Sequence, residues 1–160
     1  MIYDELALNN GVIFQHAFDI LNSRTQLAIV KRTAGEDTPN DKVDLELALF
    51  VPAVVNGAFA CELFMKAMLP KNTRGHKLQE LFNDLDTNIQ DRIKNNTLVR
   101  IKKFSESYTD VDFYTDLTHN GNIFSEWRYF HEGNVNSANF RFISNFMKAV
   151  FDIALEERSK

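Results

Sequence analysis

The chain is poor in the residues that build disulfide-rich or turn-rich folds. It has one cysteine, six glycines and three prolines among 160 residues. A single cysteine, Cys61, excludes an internal disulfide, and this fits a reducing, cytoplasmic environment. The apolar neighbours of Cys61 favour an inert core thiol over a reactive one. The low glycine and proline content predicts few turns.

The sequence also lacks a long uninterrupted apolar run. A membrane-spanning helix needs roughly 18 or more apolar residues in succession. Residues 45–69 come closest, but they contain Glu46, Glu62 and Lys66. The first ten residues, MIYDELALNN, are acidic and have no basic region, which argues against a signal peptide. We therefore expect no association with a membrane.

Motifs for the common metal and nucleotide chemistries are missing as well. The chain contains no GxxxxGK[ST], no HExxH and no GxSxG sequence. Its four histidines and one cysteine are scattered without zinc-finger spacing. The acidic residues form no compact cluster. The sequence therefore predicts neither a metal site nor a cofactor.

The net charge of −4 argues against a general nucleic-acid coat protein. A local basic patch stays open, because five cations lie close together in the sequence. The alternative is an ordinary solvated helix face. The five cations are Arg92, Lys94, Arg100, Lys102 and Lys103.

What is present is apolar periodicity of the helical kind. Hydrophobic residues make up 44% of the chain, including 14 phenylalanines, and they recur at 3.6-residue rather than 2-residue spacing. The pattern predicts one all-α domain over residues 1–160, with a core built on aromatic rings. In the first helix, the pattern predicts a broad apolar stripe that consists of Leu8, Val12, Ala17, Ile20, Leu21, Ala28 and Ile29.

The predicted helices follow from this periodicity and from local breakers. They cover about residues 4–33, 42–69, 77–85, 87–108 and 110–117, then a segment that ends near Gly133, and a last helix capped by Ser137. Pro52 predicts a kink in the long second helix, because proline lacks a backbone donor and clashes with the preceding turn. The pair Asn95–Asn96 predicts a break in the fourth. Asp86 or Thr87 is a suitable N-cap, and Gly121 suits a left-handed turn.

The segment 124–133, FSEWRYFHEG, places charged groups among aromatic rings. In a helix, Arg128 and His131 share a face, and Glu132 lies four residues from Arg128, where it can orient the guanidinium. Trp127 and Tyr129 can stack on bases, or they can form a core or dimer interface. The structural alternative for Arg128 is a buried salt bridge or a cation–π contact, and for His131 an exposed position at a helix end.

Three segments in this order resemble the HEPN superfamily of small α-helical proteins. They are NGAFACELFMKAML (residues 56–69), GHKLQELF (residues 75–82) and WRYFHE, which precedes the final amphipathic helix. The resemblance covers about residues 45–155 and implies an up-and-down helical bundle. The family signature is an arginine, four to six residues and then a histidine. Here only two residues separate Arg128 from His131.

The resemblance implies site roles for residues on several segments. Arg128 would stabilise the charged transition state of RNA cleavage, and His131 would act as general acid or base. Independently of the resemblance, Glu62 on the long helix is a candidate to face the motif and pair with Arg128, and the alternative favoured by its spacing is an ion pair with Lys66. Asn56 would extend the same polar network. His76 matches the family's Gly-His-x-Leu pattern, and we expect it to hold its loop through a side-chain hydrogen bond.

The implied function is RNA-related and needs no metal. Many HEPN proteins are homodimeric ribonucleases of toxin–antitoxin or other defence systems, so we expect a homodimer that cleaves or binds RNA. The alternative is a non-catalytic HEPN-like module. Such a module would bind a nucleotide or a protein partner, such as a nucleotidyltransferase-type antitoxin.

Overall fold

The computed structural model describes residues 3–35, 41–123 and 139–160, and this part of the chain is helical without strands. The all-α class predicted from the periodicity is therefore confirmed. The segment 124–138, which includes the aromatic motif and Ser137, lies outside the described residues. The helices of the described part are α1 (Glu5–Thr33), α2 (Asp41–Ala48), α3 (Phe50–Ala67), α4 (Leu78–Asp84), α5 (Thr87–Lys102), α6 (Asp110–His119) and α7 (Phe140–Arg158).

The long helices α1 and α3 pack along each other, and α7 covers α3. Two glycines permit this close approach. A Cβ atom on Gly11 would lie 2.5 Å from the ring of Phe64, and one on Gly57 would lie 2.8 Å from the ring of Phe18. Both rings are fully buried. The rings therefore occupy the space that a side chain at either glycine would need.

The predicted bend in the second long helix is confirmed, but the helix is interrupted at Leu49 rather than at Pro52. Pro52 is the third residue of α3, where its missing N–H has no intrahelical partner to lose. Its ring would clash with the carbonyl of Ala48 if the two helices were continuous. Since Ala48 is the last residue of α2, the break falls one turn before the proline.

Two predictions about the helix α5 are wrong. It runs through Asn95–Asn96 without a break and ends at Lys102 rather than near residue 108. Asparagine costs only a few tenths of a kcal/mol in a helix interior, and buried Ile89 and Ile93 precede the pair while Leu98 and Ile101 follow it. The burial of these side chains therefore outweighs the low helix propensity of the two asparagines. The predicted cap is confirmed, because the Asp86 carboxylate accepts a hydrogen bond from the Asn88 N–H at 2.9 Å.

Two further local predictions are wrong. Gly121 does not adopt a positive φ; among the described glycines only Gly35 and Gly75 do. The last helix is capped by Asn139 rather than Ser137, since the Asn139 Oδ1 atom accepts from the Phe142 N–H at 3.1 Å. Asn139 also donates to Asp116 on α6 at 2.8 Å. This link between two helices favours the cap at Asn139.

The core is built on aromatic rings, as the phenylalanine content predicted. Phe82, Phe113, Phe142 and Phe146 are fully buried and pack ring against ring where α4, α6 and α7 meet. The core-facing stripe predicted for α1 is only partly right. Leu8 and Ala28 are buried and Leu21 packs against the core, but Val12, Ile20 and Ile29 are exposed.

The segment Leu45–Ala67 has the length and apolar composition of a membrane-spanning helix, alone in the described part of the chain. The buried core helices of soluble proteins can have the same length and apolar composition. Ten residues of α3 are buried in this fold, including the charged Glu62.

Candidate functional site

The most unusual side chain in the described core is a carboxylate. Glu62 lies in the middle of α3, and its side chain is 1% exposed. Its neighbours Cys61 and Phe64 are fully buried apolar residues. Removing a carboxylate from water costs several kcal/mol unless charged or hydrogen-bonding groups compensate it. The surroundings of Glu62 should therefore supply such groups.

Two basic side chains converge on one oxygen of this carboxylate. The Lys66 ammonium, one turn along α3, donates to Glu62 Oε1 at 2.8 Å. The Nδ1 atom of His76 lies 2.9 Å from the same oxygen. The ion pair with Lys66 is the one that the four-residue spacing predicted. The contact with His76 joins α3 to the segment before α4, as expected of a histidine that holds its loop.

The loop between α3 and α4 brings His76 back to Glu62. Asn72 and Gly75 have positive φ angles of 76° and 108°, which let the chain reverse within a few residues. The Thr73 hydroxyl donates to the Pro70 carbonyl at 2.7 Å and tightens the same turn. The His76 side chain is 57% exposed, so the imidazole contacts the buried carboxylate through Nδ1 and remains accessible to solvent.

The contact constrains the tautomer of the ring. Since an ionised carboxylate can only accept, a hydrogen bond with it requires that Nδ1 of His76 carries the hydrogen, and Nε2 is then the acceptor of a neutral imidazole. A carboxylate that holds an imidazole in this tautomer is the arrangement by which enzymes orient a histidine for proton transfer. Glu62 and His76 can therefore act together as a general base.

Within the described part of the chain, the second oxygen of Glu62 has unmet hydrogen-bonding capacity. Oε2 is buried and has no partner among the described residues. Buried carboxylate oxygens in proteins are almost always paired with a donor. The site therefore favours an additional cation or N–H donor next to α3.

The other predicted site residues are distributed differently. Trp127, Arg128, Tyr129, His131 and Glu132 lie outside the described residues. Asn56 donates to the Pro52 carbonyl of its own helix at 2.6 Å. The hydrogen bonds of the described residues do not join Asn56 to Glu62. The structure thus brings Glu62 and His76 together and leaves Asn56 apart.

The basic cluster on α5 is largely neutralised by acidic neighbours. Arg92 pairs with Glu156 and Glu157 of α7, and the Glu157 hydrogen bond raises the pKa of the Arg92 guanidinium. Arg100 pairs with Asp152 of α7, and the Lys94 ammonium lies 2.9 Å from Asp110 of α6. Of the five cations, only Lys102 and Lys103 lack a described acidic partner. These ion pairs indicate that the basic cluster links α5 to its neighbouring helices rather than forming a nucleic-acid-binding surface.

A second polar cluster lines a cavity of about 280 Å³ between α5, α6 and α7. The Tyr108 hydroxyl donates to Asp116 Oδ2 at 2.7 Å, and the Asn139 amide donates to Asp116 Oδ1 at 2.8 Å. Burial, together with the hydrogen bond to Asp116, raises the pKa of the Tyr108 hydroxyl. Because both carboxylate oxygens already have donors, this cluster resembles a structural link more than a ligand site.

No group of three or more histidine, cysteine or acidic side chains that could hold a metal ion occurs within the described ranges. Protein-family models, curated proteins and solved structures were each compared with the chain, and none of them matches it.

The sequence did not predict that Glu62 and His76 form a pair. Its members are 14 residues apart on different elements, and only the loop geometry brings them together.

Proposed function

We propose that this protein is a HEPN-like, RNA-related protein of a bacterial defence or toxin–antitoxin-type system, acting as a homodimeric, metal-independent endoribonuclease. The observation that supports this is the buried Glu62 carboxylate oriented on His76. These two residues lie in two of the three segments that carry the HEPN resemblance, residues 56–69 and 75–82. A buried carboxylate oxygen with no donor among the described residues, beside an oriented histidine, suits a site that needs an arginine and an acid/base group.

The proposed reaction uses the ribose 2′-hydroxyl of the RNA as nucleophile. A base takes the proton from this hydroxyl, the oxygen attacks phosphorus, and the 5′-oxygen leaves with a proton, so a 2′,3′-cyclic phosphate is formed. Arg128 stabilises the charge on the phosphorane-like transition state. We propose that His131 moves the proton and that Arg128 pairs with Glu62, the pairing that the sequence predicts for this carboxylate. His76 is a second acid/base candidate, because the carboxylate already orients its ring.

The test is RNA cleavage in EDTA with wild-type protein and matched variants. Arg128→Ala, His131→Ala and His76→Ala are each compared with Arg158→Ala, whose guanidinium forms a surface pair with Glu5 at 2.8 Å. We expect the Arg128 variant to lose cleavage at least about a hundredfold, while Arg158→Ala keeps it. A comparable loss in the His131 or the His76 variant identifies the acid/base residue. Full activity of Arg128→Ala would refute the assignment.

A non-catalytic module is the second candidate, and three observations favour it. Only two residues separate Arg128 from His131, the net charge is −4, and three cations of α5 are paired with acidic side chains. A folded wild-type protein that cleaves no RNA, but forms a stable complex with a small nucleotidyltransferase encoded by a neighbouring gene, would support this alternative. Cleavage that depends on Arg128 would exclude it.

A further inference from the structure

An exposed aromatic ring and three cations form a surface cluster between the end of α5 and the start of α7. Phe104 is 69% exposed, although phenylalanine side chains are usually buried. Lys102 is the last residue of α5, and Lys103 caps that helix directly before Phe104. The Arg141 guanidinium, from the first turn of α7, lies 5.8 Å from the centre of the Phe104 ring. We call these four residues the Phe104 cluster.

The cations of the Phe104 cluster are distinct from those that link the helices through ion pairs. The other three cations of α5 pair with acidic side chains of α6 and α7. Lys102, Lys103 and Arg141 have no acidic partner in the described part of the chain. The nearest exposed acid in the sequence is Glu106, two residues after Phe104. The cluster is therefore locally positive on a chain whose net charge is −4, and it is complementary to an anion.

Backbone hydrogen bonds fix the position of the ring before any ligand binds. The N–H groups of Phe104 and Ser105 both donate to the Ile101 carbonyl, at 2.9 and 3.0 Å, and the Tyr108 N–H donates to the Ser105 carbonyl at 3.1 Å. The Tyr108 hydroxyl is in turn bonded to Asp116 of α6. A group that is held in place beforehand loses little conformational freedom when it binds a ligand.

The geometry of the ring favours a ligand with a flat surface. Since Arg141 lies over one face of the Phe104 ring, the large exposed fraction leaves the opposite face open. Every nucleobase has a face that can stack on such a ring, and nearby cations bind the phosphates on either side of the base. The bases of a duplex are already stacked on one another. The combination therefore indicates a single-stranded nucleic acid rather than a simple anion.

We propose that the Phe104 cluster binds single-stranded RNA. One unpaired base stacks on Phe104, and Lys102, Lys103 and Arg141 hold the adjacent phosphates. The choice of RNA rests on the proposed function, and the surface deepens that function because it contains none of the candidate catalytic residues. With about three phosphate contacts, we expect a dissociation constant of about 1–100 μM at about 100 mM salt.

Fluorescence anisotropy measures this binding with a labelled single strand of about 12 uridines. Its riboses carry 2′-O-methyl groups, so attack by the 2′-hydroxyl cannot cleave it. We expect Phe104→Ala to weaken binding about tenfold, while Leu45→Ala, at an α2 residue that is 68% exposed, leaves it unchanged. Circular dichroism confirms that both variants are folded. A wild-type chain that does not bind at about 500 μM would overturn the proposal, as would unchanged binding by Phe104→Ala.

The salt dependence of binding tests the cations. The logarithm of the binding constant falls with the logarithm of salt concentration by about 0.7 for each phosphate of a single strand that is neutralised. Lys102→Gln and Lys103→Gln should each reduce this slope by about 0.7. Arg24→Gln, which removes an exposed cation of α1, should leave it unchanged. An equal reduction by Arg24→Gln would contradict the proposal, as would equal affinity for the same strand in a duplex.

Photocrosslinking locates the stacked base without reference to affinity. Iodouridine in the strand crosslinks on irradiation to an aromatic ring that it contacts, and mass spectrometry identifies the peptide. We expect the crosslink at Phe104. A crosslink found only at Trp127 or Tyr129 would place the base on the aromatic motif and refute this surface. A crosslink at Phe104 in a chain that cleaves no RNA would support the surface while refuting the nuclease.

Discussion

At the scale of the residue, the position of Glu62 shows how a charge can be kept inside an apolar helix. The pair with Lys66 follows from helical spacing alone, whereas the contact with His76 needs the loop after α3. Both partners remain in contact with water, with side chains 20% and 57% exposed. The carboxylate thus retains two charged or polar partners at a place where solvent cannot reach it.

This environment predicts a large difference between two glutamates that each pair with a lysine. Glu62→Ala should lower the free energy of unfolding by about 1–3 kcal/mol, because Lys66 and His76 lose a buried partner and a cavity forms. Glu80→Ala, at a pair with Lys77 in which both side chains are about 60% exposed, should change it by less than about 0.5 kcal/mol. Urea unfolding at pH 7 measures both. Equal effects would contradict a buried role for Glu62.

At the scale of the element, close contact between helices matters more than the propensity of single residues. Gly57 lies inside α3, where glycine costs about 0.5–1 kcal/mol relative to alanine. The structure gives the reason for its presence, since a Cβ atom there would lie 2.8 Å from Phe18 and 3.0 Å from Ile143. The α5 helix illustrates the same principle through Asn95–Asn96, where packing keeps a helix intact.

Gly57→Ala should therefore destabilise the protein although alanine is the better helix former. We expect a loss of about 1–3 kcal/mol from overpacking at the junction of α1, α3 and α7. Asn95→Ala is the control, because its side chain is exposed in α5 and the substitution isolates the propensity gain, a few tenths of a kcal/mol. Thermal and urea unfolding of both variants provide the comparison. A stabilised Gly57→Ala would mean that the junction has room for the methyl group.

At the scale of the whole molecule, ion pairs connect elements that are distant in the sequence. Arg92 and Arg100 join α5 to the end of α7, and Arg158 joins α7 to Glu5 at the start of α1. The Tyr3 hydroxyl also donates to the Ala154 carbonyl at 2.9 Å, and burial raises the pKa of Tyr3 to about 12. The first and last helices are thereby held together.

These pairs predict a loss of stability in acid. Hydrogen bonds from Lys160 and Arg92 lower the pKa of the Glu157 carboxyl below its ordinary value of 4.5. A lowered folded-state pKa stabilises the fold fully above the ordinary value, and this stabilisation is lost as the pH falls through the lowered one. The free energy of unfolding should therefore decrease as the pH falls below about 4.5. Urea midpoints between pH 7 and pH 3 measure this dependence.

The variant Glu157→Gln isolates the contribution of this carboxylate. It should be less stable than wild type at pH 7, by about 1 kcal/mol or less, and should lose less stability on acidification. Glu106→Gln is the control, because Glu106 is exposed and has no ion pair within the described ranges. If the acid slope of Glu157→Gln equals that of wild type, other carboxylates control the transition.

Much of the fold was predictable from local patterns. Apolar spacing predicted the all-α class and the approximate limits of α1, α4 and α6. The reason is that the buried face of a helix requires apolar residues at a repeat of about 3.6 residues. The Asp86 cap and the Glu62–Lys66 pair were predictable for the same reason, since both join residues within one turn. The roles of Arg128 and His131 stay predictions.

Contacts between elements were not predictable in this way. The sequence by itself determined which segments are helical and which neighbours on one helix can pair, because these depend on distances of a few residues. Only the tertiary structure placed His76 on Glu62, paired the α5 cations with α7, and left Ile20 of α1 exposed. Which faces of the helices meet is decided by the packing of side chains far apart in the chain.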